Sequence, residues 1–381
     1  MRAVICGAGI AGLTLASQLG KSGWNVLVLE REQAPETGAY LVDLADDGLA
    51  AAERMGVLPA LREVGERVSR VRWVDGAGNP IADIEVPVEV RSQRGALKVL
   101  RADLQRALLE ALPPSVEVRF GFDVTQIRTD PRGVEVTLHP SGNTRADLLI
   151  GADGVHSRIR DLVFGDSAMW TRDLGYDSAS FIFEDEHVLS CLAGKFTVLS
   201  VPGRHVVLCP MRSGKIAATL IHRSPPSTPP TSSVEGLKNR FGELVWCVPN
   251  VLQHAASADE VRYEHAIQVR MPSWHRGRVG LLGDACHAYS LLPGQGSSVA
   301  LAAAYWLALE IARAPSLDIA LGWYQSHLMN EIARRRASTR RAAEWLVPAG
   351  RGDLALRNTL LRMSSVPRVR KFLGPVVRGV V

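Results

Sequence analysis

The sequence predicts an α/β protein: a Rossmann-like parallel sheet that carries an inserted antiparallel sheet and ends in helices. Three observations predict it. The N-terminal stretch "AVICGAGIAGLTLASQLGKSGWNVLVLE" has the form strand, glycine turn, helix, strand. Two later apolar stretches, "ADLLIGADG" and "GRVGLLGDA", also end in glycine and aspartate. Between these lie short strands with Gly/Pro turns, a texture foreign to a parallel sheet.

Residues 2–6 predict a strand buried on both faces, apolar from Ala3 to Cys6. Gly7, Gly9 and Gly12 make the turn, Leu13–Leu19 has helical spacing, and Asn25–Leu29 is a second buried strand, which completes a βαβ unit. "SRVRWVDGAGNPIADIEV" reads as a hairpin around Gly76–Pro80. Leu100, Leu104, Leu108 and Leu112 recur every fourth residue and make "LRADLQRALLEAL" an amphipathic helix. "KFTVLSVPGRHVVLCPMRSGKIAATLIH" reads as a meander with turns at Pro202-Gly203 and Ser213-Gly214. Ser224–Ser233, "SPPSTPPTSS", is a linker, and the C-terminal third is Ala/Leu/Arg-rich and helical.

A chain of 381 residues exceeds one ordinary core, and 46% hydrophobic with 22% charged residues is a globular balance. Lys+Arg 44 against Asp+Glu 39 leaves a net charge of only +5, which does not point to nucleic acid. The densest basic run, "RRRASTRR" at Arg334–Arg341, is expected to be a solvated helix face. Cys6, Cys191, Cys209, Cys247 and Cys286 are scattered and odd in number, so neither a disulfide framework nor a metal site is expected. No signal peptide and no apolar run of membrane-spanning length is visible, which predicts a cytoplasmic protein with no membrane partner.

The first glycine of the turn permits the tight bend, the second lets backbone approach a pyrophosphate, and the third lets helix pack on strand. The helix N-terminus adds unpaired N–H groups and a positive dipole end. Glu30, at the tip of the second strand, can accept from ribose hydroxyls and would repel a 2′-phosphate. An ADP moiety with a free ribose fits, which leaves FAD or NAD. The stretch beginning "GDACHAYSLLPGQGSSVALAAAYW" decides between them. It delivers Asp284 to a turn and opens a long helix near Gly296, so Asp284 can meet a ribityl hydroxyl. The N–H groups of Gly296–Ser298 can meet the flavin pyrimidine edge, where reduced flavin is negative. NAD has no ribityl chain, so FAD is expected.

Three motifs in order, Gly7–Gly12 with Glu30, "GADGVHSRIR" at Gly151–Arg160 and "GDACHAYSLLPGQG" at Gly283–Gly296, resemble those of the class A flavoprotein monooxygenases. These are the aromatic hydroxylases with the p-hydroxybenzoate hydroxylase fold. The likeness spans roughly residues 1–325, and "TGAYLVDLADDGLAAAERMGVLPAL" is similar to a subgroup with tetracycline-inactivating and natural-product-tailoring hydroxylases. The resemblance implies non-covalent FAD, NADPH or NADH as transient reductant, O2, and a C4a-hydroperoxyflavin that hydroxylates an aromatic or polycyclic small molecule. It implies a discontinuous FAD-binding domain (1–70, 98–175 and 272–325), a substrate domain (71–97 and 176–271) and C-terminal helices (326–381).

Carried over by match, cofactor contacts would come from Gly7, Gly9, Ala11, Gly12, Glu30, Arg31 and Gly38, from Arg101 with Leu104, and from Val124 at the adenine. Asp153, Gly154, Gly283, Asp284, Pro293, Gly294, Gln295, Gly296, Ser297 and Ser298 complete that set. The sequence departs from the pattern at Leu291, where proline is usual, at Ser298, where asparagine is usual, at Ala304-Tyr305, and in lacking a basic residue before Gly38. These departures motivate an alternative, a flavoprotein that uses FAD structurally for a cyclisation or rearrangement, or that only binds a ligand. Asp43 is a candidate base, and His287 and Tyr289 are candidates to reach substrate. Trp73, Phe181, Phe183, Phe196 and Trp246 are expected in the core of the inserted sheet. Arg91, Arg94, Arg212 and Arg223 are candidate anchors for an acidic substrate.

Overall fold

The computed structural model describes residues 1–37, 40–85, 97–225, 230–258, 260–289 and 296–365. The chain opens with β1 (Arg2–Cys6), α1 (Ile10–Lys21) and β2 (Asn25–Glu30), the βαβ unit expected from its glycine turn. β1 lies inside a six-stranded sheet, parallel to β2 on one side and to Leu148–Gly151 on the other. Helix α1 and a three-stranded sheet (Asp123–Asp130, Gly133–His139, Asn143–Ala146) pack against these strands, and Ala3, Val4 and Ile5 are all fully buried, so the strand shows no alternation. Burying a Val or Ile side chain in this way contributes about 1.5–3 kcal/mol. Val279–Leu281 pairs parallel to Leu148–Gly151, and His275–Arg276 closes that edge as a short antiparallel strand. Val116–Phe120 closes the other edge beside β2.

The carboxyl ends of these strands are locked side by side. Gly7 N–H donates to Leu29 O (2.7 Å), Ala152 N–H to Cys6 O (2.7 Å) and Leu282 N–H to Gly151 O (2.8 Å). The three glycine turns therefore leave the sheet along one edge, where open α/β sheets bind ligands.

A second, seven-stranded sheet runs in the order Arg262–Val269, Thr171–Phe183, Ile216–Arg223, Arg204–Pro210, Phe196–Val201, Arg70–Val74, Pro80–Glu85. The expected hairpin and meander both form. Their junction differs from the expected antiparallel sheet: Phe196–Val201 runs parallel to Arg70–Val74. These two strands come from distant parts of the chain, so no tight turn dictates their relative direction. One face of the sheet packs through Phe181, Leu220 and Leu208 on the helices Val234–Phe241 and Val248–Ser257. The other meets the C-terminal helices through Trp73, Ile221, Leu346 and Leu361. Phe183 and Phe196 are buried as core residues, and Trp246 is half-buried against the first of these clusters.

Helix Gly296–Arg313 packs on α1 and on Asp46–Met55, and helix Leu317–Leu346 runs on from it. The basic run on that long helix is not wholly solvated as expected. Arg334 is exposed beside Glu331, whereas Arg335 and Arg336 are half-buried behind the segment Asp284–Tyr289, with Arg335 5.9 Å over the Tyr289 ring. The helix crosses that segment, so two consecutive positions of the run face protein while its neighbours face water. In the linker, 226–229 lie outside the described residues, and its other residues form neither helix nor strand. Among the described residues no helix is long and apolar enough to cross a membrane.

Candidate cofactor and substrate cleft

Two cavities lie along the carboxyl edge of the parallel sheet. The first, about 560 Å³, is lined by Gly7, Gly9, Glu30, Arg31, Val124, Asp153 and Gly154. The second, about 260 Å³, lies beneath the seven-stranded sheet and is lined by Ser178, Glu264, Asp284, Tyr289, Gly296 and Ser297. Both are lined by Arg101, Val155, His156 and Arg262, so they join into one cleft.

The three glycines of the first turn answer to different neighbours. Gly7 has φ +108°, and a Cβ there would fall 2.4 Å from Ala152 O in the adjoining turn. A Cβ on Gly12 would fall 2.0 Å from Gly7 O. The fold itself requires both. A Cβ on Gly9 would meet nothing nearer than Arg101 Nη2 at 3.6 Å. Gly9 thus leaves open a cradle that only a ligand would use, which fits a pyrophosphate approaching bare backbone.

Glu30 is held in place by the turn it serves. Its Oε2 accepts from Ala8 N–H (2.8 Å) and its Oε1 from Glu32 N–H (3.1 Å). Each oxygen keeps a further lone pair for a ribose hydroxyl. The waist of the cleft is a cluster of two arginines and two glutamates. Arg101 pairs with Glu36, and Arg262 Nη1 donates to the other oxygen of Glu36 at 3.1 Å. Arg262 Nε also donates to Glu264 (2.9 Å), and its guanidinium lies 5.3 Å over the Tyr40 ring. Burial opposes the charge on Arg101, yet Tyr40 and Glu36 outweigh it and its pKa is raised. Paired guanidiniums of this kind suit a pyrophosphate.

At the far end, Asp284 begins the short helix Asp284–His287 with its carboxylate open to the second cavity. The surrounding protein raises its pKa by desolvation, and Arg101 partly offsets this. A Cβ on Gly296 would come 3.4 Å from Asp284 Oδ1, so glycine lets the next helix start close to that carboxylate. Asp153 lines the first cavity and also braces the second turn, with Oδ1 accepting from Ser157 Oγ (2.6 Å) and Oδ2 from Ile159 N–H (3.0 Å).

Several expected contacts lie elsewhere. Leu104 is fully buried in the core and lines neither cavity, because the Leu104–Leu108 stripe is the apolar face of helix Arg101–Glu110. Ala11, Gly12 and Gly283 also line neither; Gly283 (φ +66°) packs on Ala11, joining the first turn to the third. The Ser298 hydroxyl donates to Asp43 O (2.9 Å) and accepts from Ala45 N–H (2.8 Å), so that side chain ties two elements together.

His287, expected to reach substrate, is instead fully buried 5.5 Å from the Trp274 ring, and desolvation, aided by Arg336, pushes its pKa down to about 3. Asp43 lines neither cavity and pairs with Lys98; burial raises its pKa and Lys98 opposes the rise. Tyr289 does line the second cavity, and its hydroxyl bonds to Arg335. Arg212 N–H donates to Glu66 and lines neither cavity, and Arg223 donates to Val347 O. Gly38, Arg91, Arg94, Leu291, Pro293, Gly294 and Gln295 lie outside the described residues.

Sequence reasoning missed Glu36, Gln105 and Arg262. Gln105 Nε2 donates to Ala8 O (2.8 Å) and its Oε1 accepts from Glu36 N–H (2.9 Å), so it clamps the glycine turn to the waist. Its position four residues after Arg101 on one helix face was a usable signal. Arg262 arrives from the other sheet and had none.

A glycine cradle at one end and the Asp284 carboxylate at the other, joined through a waist that holds two arginines, call for a ligand longer than a mononucleotide. That geometry defines a class, the flavin-dinucleotide-binding proteins. The chain belongs to the FAD binding domain family, which it matches over residues 1–318. It is 32% identical over 336 residues to an uncharacterised protein of Mycobacterium tuberculosis, covering 85% of this chain and 88% of that one. It is 29% identical over 369 residues to 3-hydroxybenzoate 6-hydroxylase 1 of Aquipseudomonas alcaligenes, covering 94% and 92%. Among solved structures it resembles HpxO of Klebsiella pneumoniae, crystallised with FAD and uric acid, at a TM-score of 0.83 over 100% of this chain and 97% of that one; at 23% identity this likeness carries the fold. The protein is an FAD-dependent monooxygenase, an oxidoreductase that uses NAD(P)H as reductant.

Proposed function

We propose that this monooxygenase hydroxylates an aromatic or polycyclic small molecule with NAD(P)H and O2. The observation that carries the reading is the second cavity, which adjoins the Asp284 end of the cleft beneath the seven-stranded sheet. In this reading Glu30 holds the adenosine ribose, Val124 the adenine, Arg101 the pyrophosphate and Asp284 the ribityl chain. The N–H groups of Gly296–Ser298 meet the pyrimidine edge. Bound FAD supplies the redox and oxygen-activating chemistry. The chain's own groups orient it, exclude water and hold the substrate. Tyr289, with Arg335 on its hydroxyl, is a polar anchor at the substrate wall. The nucleotide domain comprises 1–70, 98–175 and 272–325, and the substrate domain 71–97 and 176–271. Substrate chemistry is supported by relatives named for planar rings, 3-hydroxybenzoate and 3-amino-4-hydroxybenzoate. Free thiols at all five cysteines suit the cytoplasm.

The test is a panel of phenols, indoles and polyketide-like aromatics, scored by substrate-stimulated NAD(P)H oxidation together with a hydroxylated product by mass. At least one aromatic class should give both. Oxygen insertion only into non-aromatic amines or sulfides would overturn the aromatic reading and leave FAD dependence standing.

A further inference from the structure

A third cavity, of about 230 Å³, lies apart from the cleft, between the seven-stranded sheet and helix Leu317–Leu346. Four guanidiniums line it: Arg172, Arg223, Arg270 and Arg336. Three of them donate to neutral oxygens. Arg223 Nε donates to Val347 O (2.9 Å), Arg270 Nη2 to Gln268 Oε1 (3.0 Å) and Arg336 Nη2 to Cys286 O (3.3 Å). The Nε of Arg336 is buried with no partner. Two carboxylates also line the cavity, Asp173 and Glu344. Asp173 is already engaged by His265 Nε2 (3.0 Å) and by Gly175 N–H (2.6 Å). Glu344 has a partner of its own. Among the described residues none of the four arginines forms an ion pair with a carboxylate. Desolvation lowers the pKa of Arg336, and Arg270 adds to the fall.

Four guanidiniums against two carboxylates that are already engaged leave an excess of like charge, and a bound anion relieves it through charge-assisted hydrogen bonds. We propose that this cavity is a binding site for an oxyanion, the phosphate or carboxylate group of a small molecule. Arg172 and Arg270, both exposed, face the anion from the strand side, and Arg336 offers its unpartnered Nε from the helix. The site communicates with the cleft through Gln268, which accepts from Arg270 and donates to Tyr289 O (3.1 Å) on the wall of the second cavity. Two sources share this chemistry, the 2′-phosphate of NADPH and the acid group of another metabolite.

The test is calorimetric titration of inorganic phosphate into the full-length, FAD-loaded protein. Phosphate should bind saturably, one per chain. The double variant R172Q/R270Q removes two exposed side chains, so flavin content should be retained while phosphate affinity falls on the order of tenfold or more. The control R145Q, at a surface pair with Asp130, should bind as the parent does. Displacement of phosphate by 2′,5′-ADP but not by 5′-ADP identifies the reductant's phosphate as the source; displacement by neither identifies another acid. Absence of saturable binding, unchanged affinity in R172Q/R270Q, or equal loss in R145Q would overturn the site.

Discussion

The two ends of the cleft solve the same problem with different materials. The Glu30 end is built from backbone: glycines that neighbouring chain crowds, and a carboxylate pinned by two N–H donors. The Asp284 end is built from titratable side chains, Asp284 open to the cavity and Cys286, His287 and Tyr289 buried behind it, all shifted by desolvation. The first end owes its shape to the fold alone. The second depends on side chains whose protonation the surrounding protein biases.

The largest expected effect lies inside the glycine turn. G12A drives a methyl into Gly7 O and should cost at least about 3 kcal/mol, seen as a collapse of the thermal midpoint. G9A, at φ −78° with open space around it, should leave the flavin-free protein as stable as the parent, yet weaken FAD on the order of tenfold. Equal damage to stability from both variants would erase the distinction between fold glycines and a ligand glycine.

A smaller effect separates the carboxylates. E30A orphans the N–H groups of Ala8 and Glu32 and should destabilise the flavin-free protein by about 1–2 kcal/mol. D284N replaces an exposed carboxylate whose pKa is raised in the fold and should leave that stability within about 0.5 kcal/mol or raise it. Urea midpoints of the two apoproteins decide, and a D284N loss matching that of E30A would break the comparison.

Acid probes the second end more gradually. His287 is neutral in the fold with a pKa of about 3, against an ordinary value of 6.5. Below pH 6.5 the unfolded chain takes up a proton that the folded chain refuses. The stability present above pH 6.5 is therefore lost as pH falls toward 3, by about 1.4 kcal/mol per pH unit for this group. H287N should flatten that part of the pH profile of the urea midpoint, and an unchanged slope would place the acid sensitivity elsewhere.

What was legible in the sequence follows the same division. The strand-turn-helix unit and the Gly283-Asp284 turn are local backbone devices, and their residues stand next to one another in the chain. Leu104 was assigned to the cofactor although its own four-residue periodicity already placed it on the apolar stripe. Arg101 and Gln105, one turn apart, are the face that meets the cleft. His287 sits three residues after Asp284 in sequence, but the short helix turns it into the core beside Trp274. Arg262 and Glu36 meet only because one sheet is laid over the other, and no spacing within either segment announces it.

The polarity of the cleft is the central claim, with ribose at Glu30 and the ribityl chain at Asp284. Titration of FAD and of ADP into flavin-stripped parent, E30A and D284N tests it most directly. E30A should weaken both ligands by one to two decades, on the order of 1–3 kcal/mol for lost acceptors. D284N should weaken FAD and leave ADP unchanged. If D284N weakens ADP as much as FAD, or E30A alters neither, the ligand does not lie along the cleft in this direction.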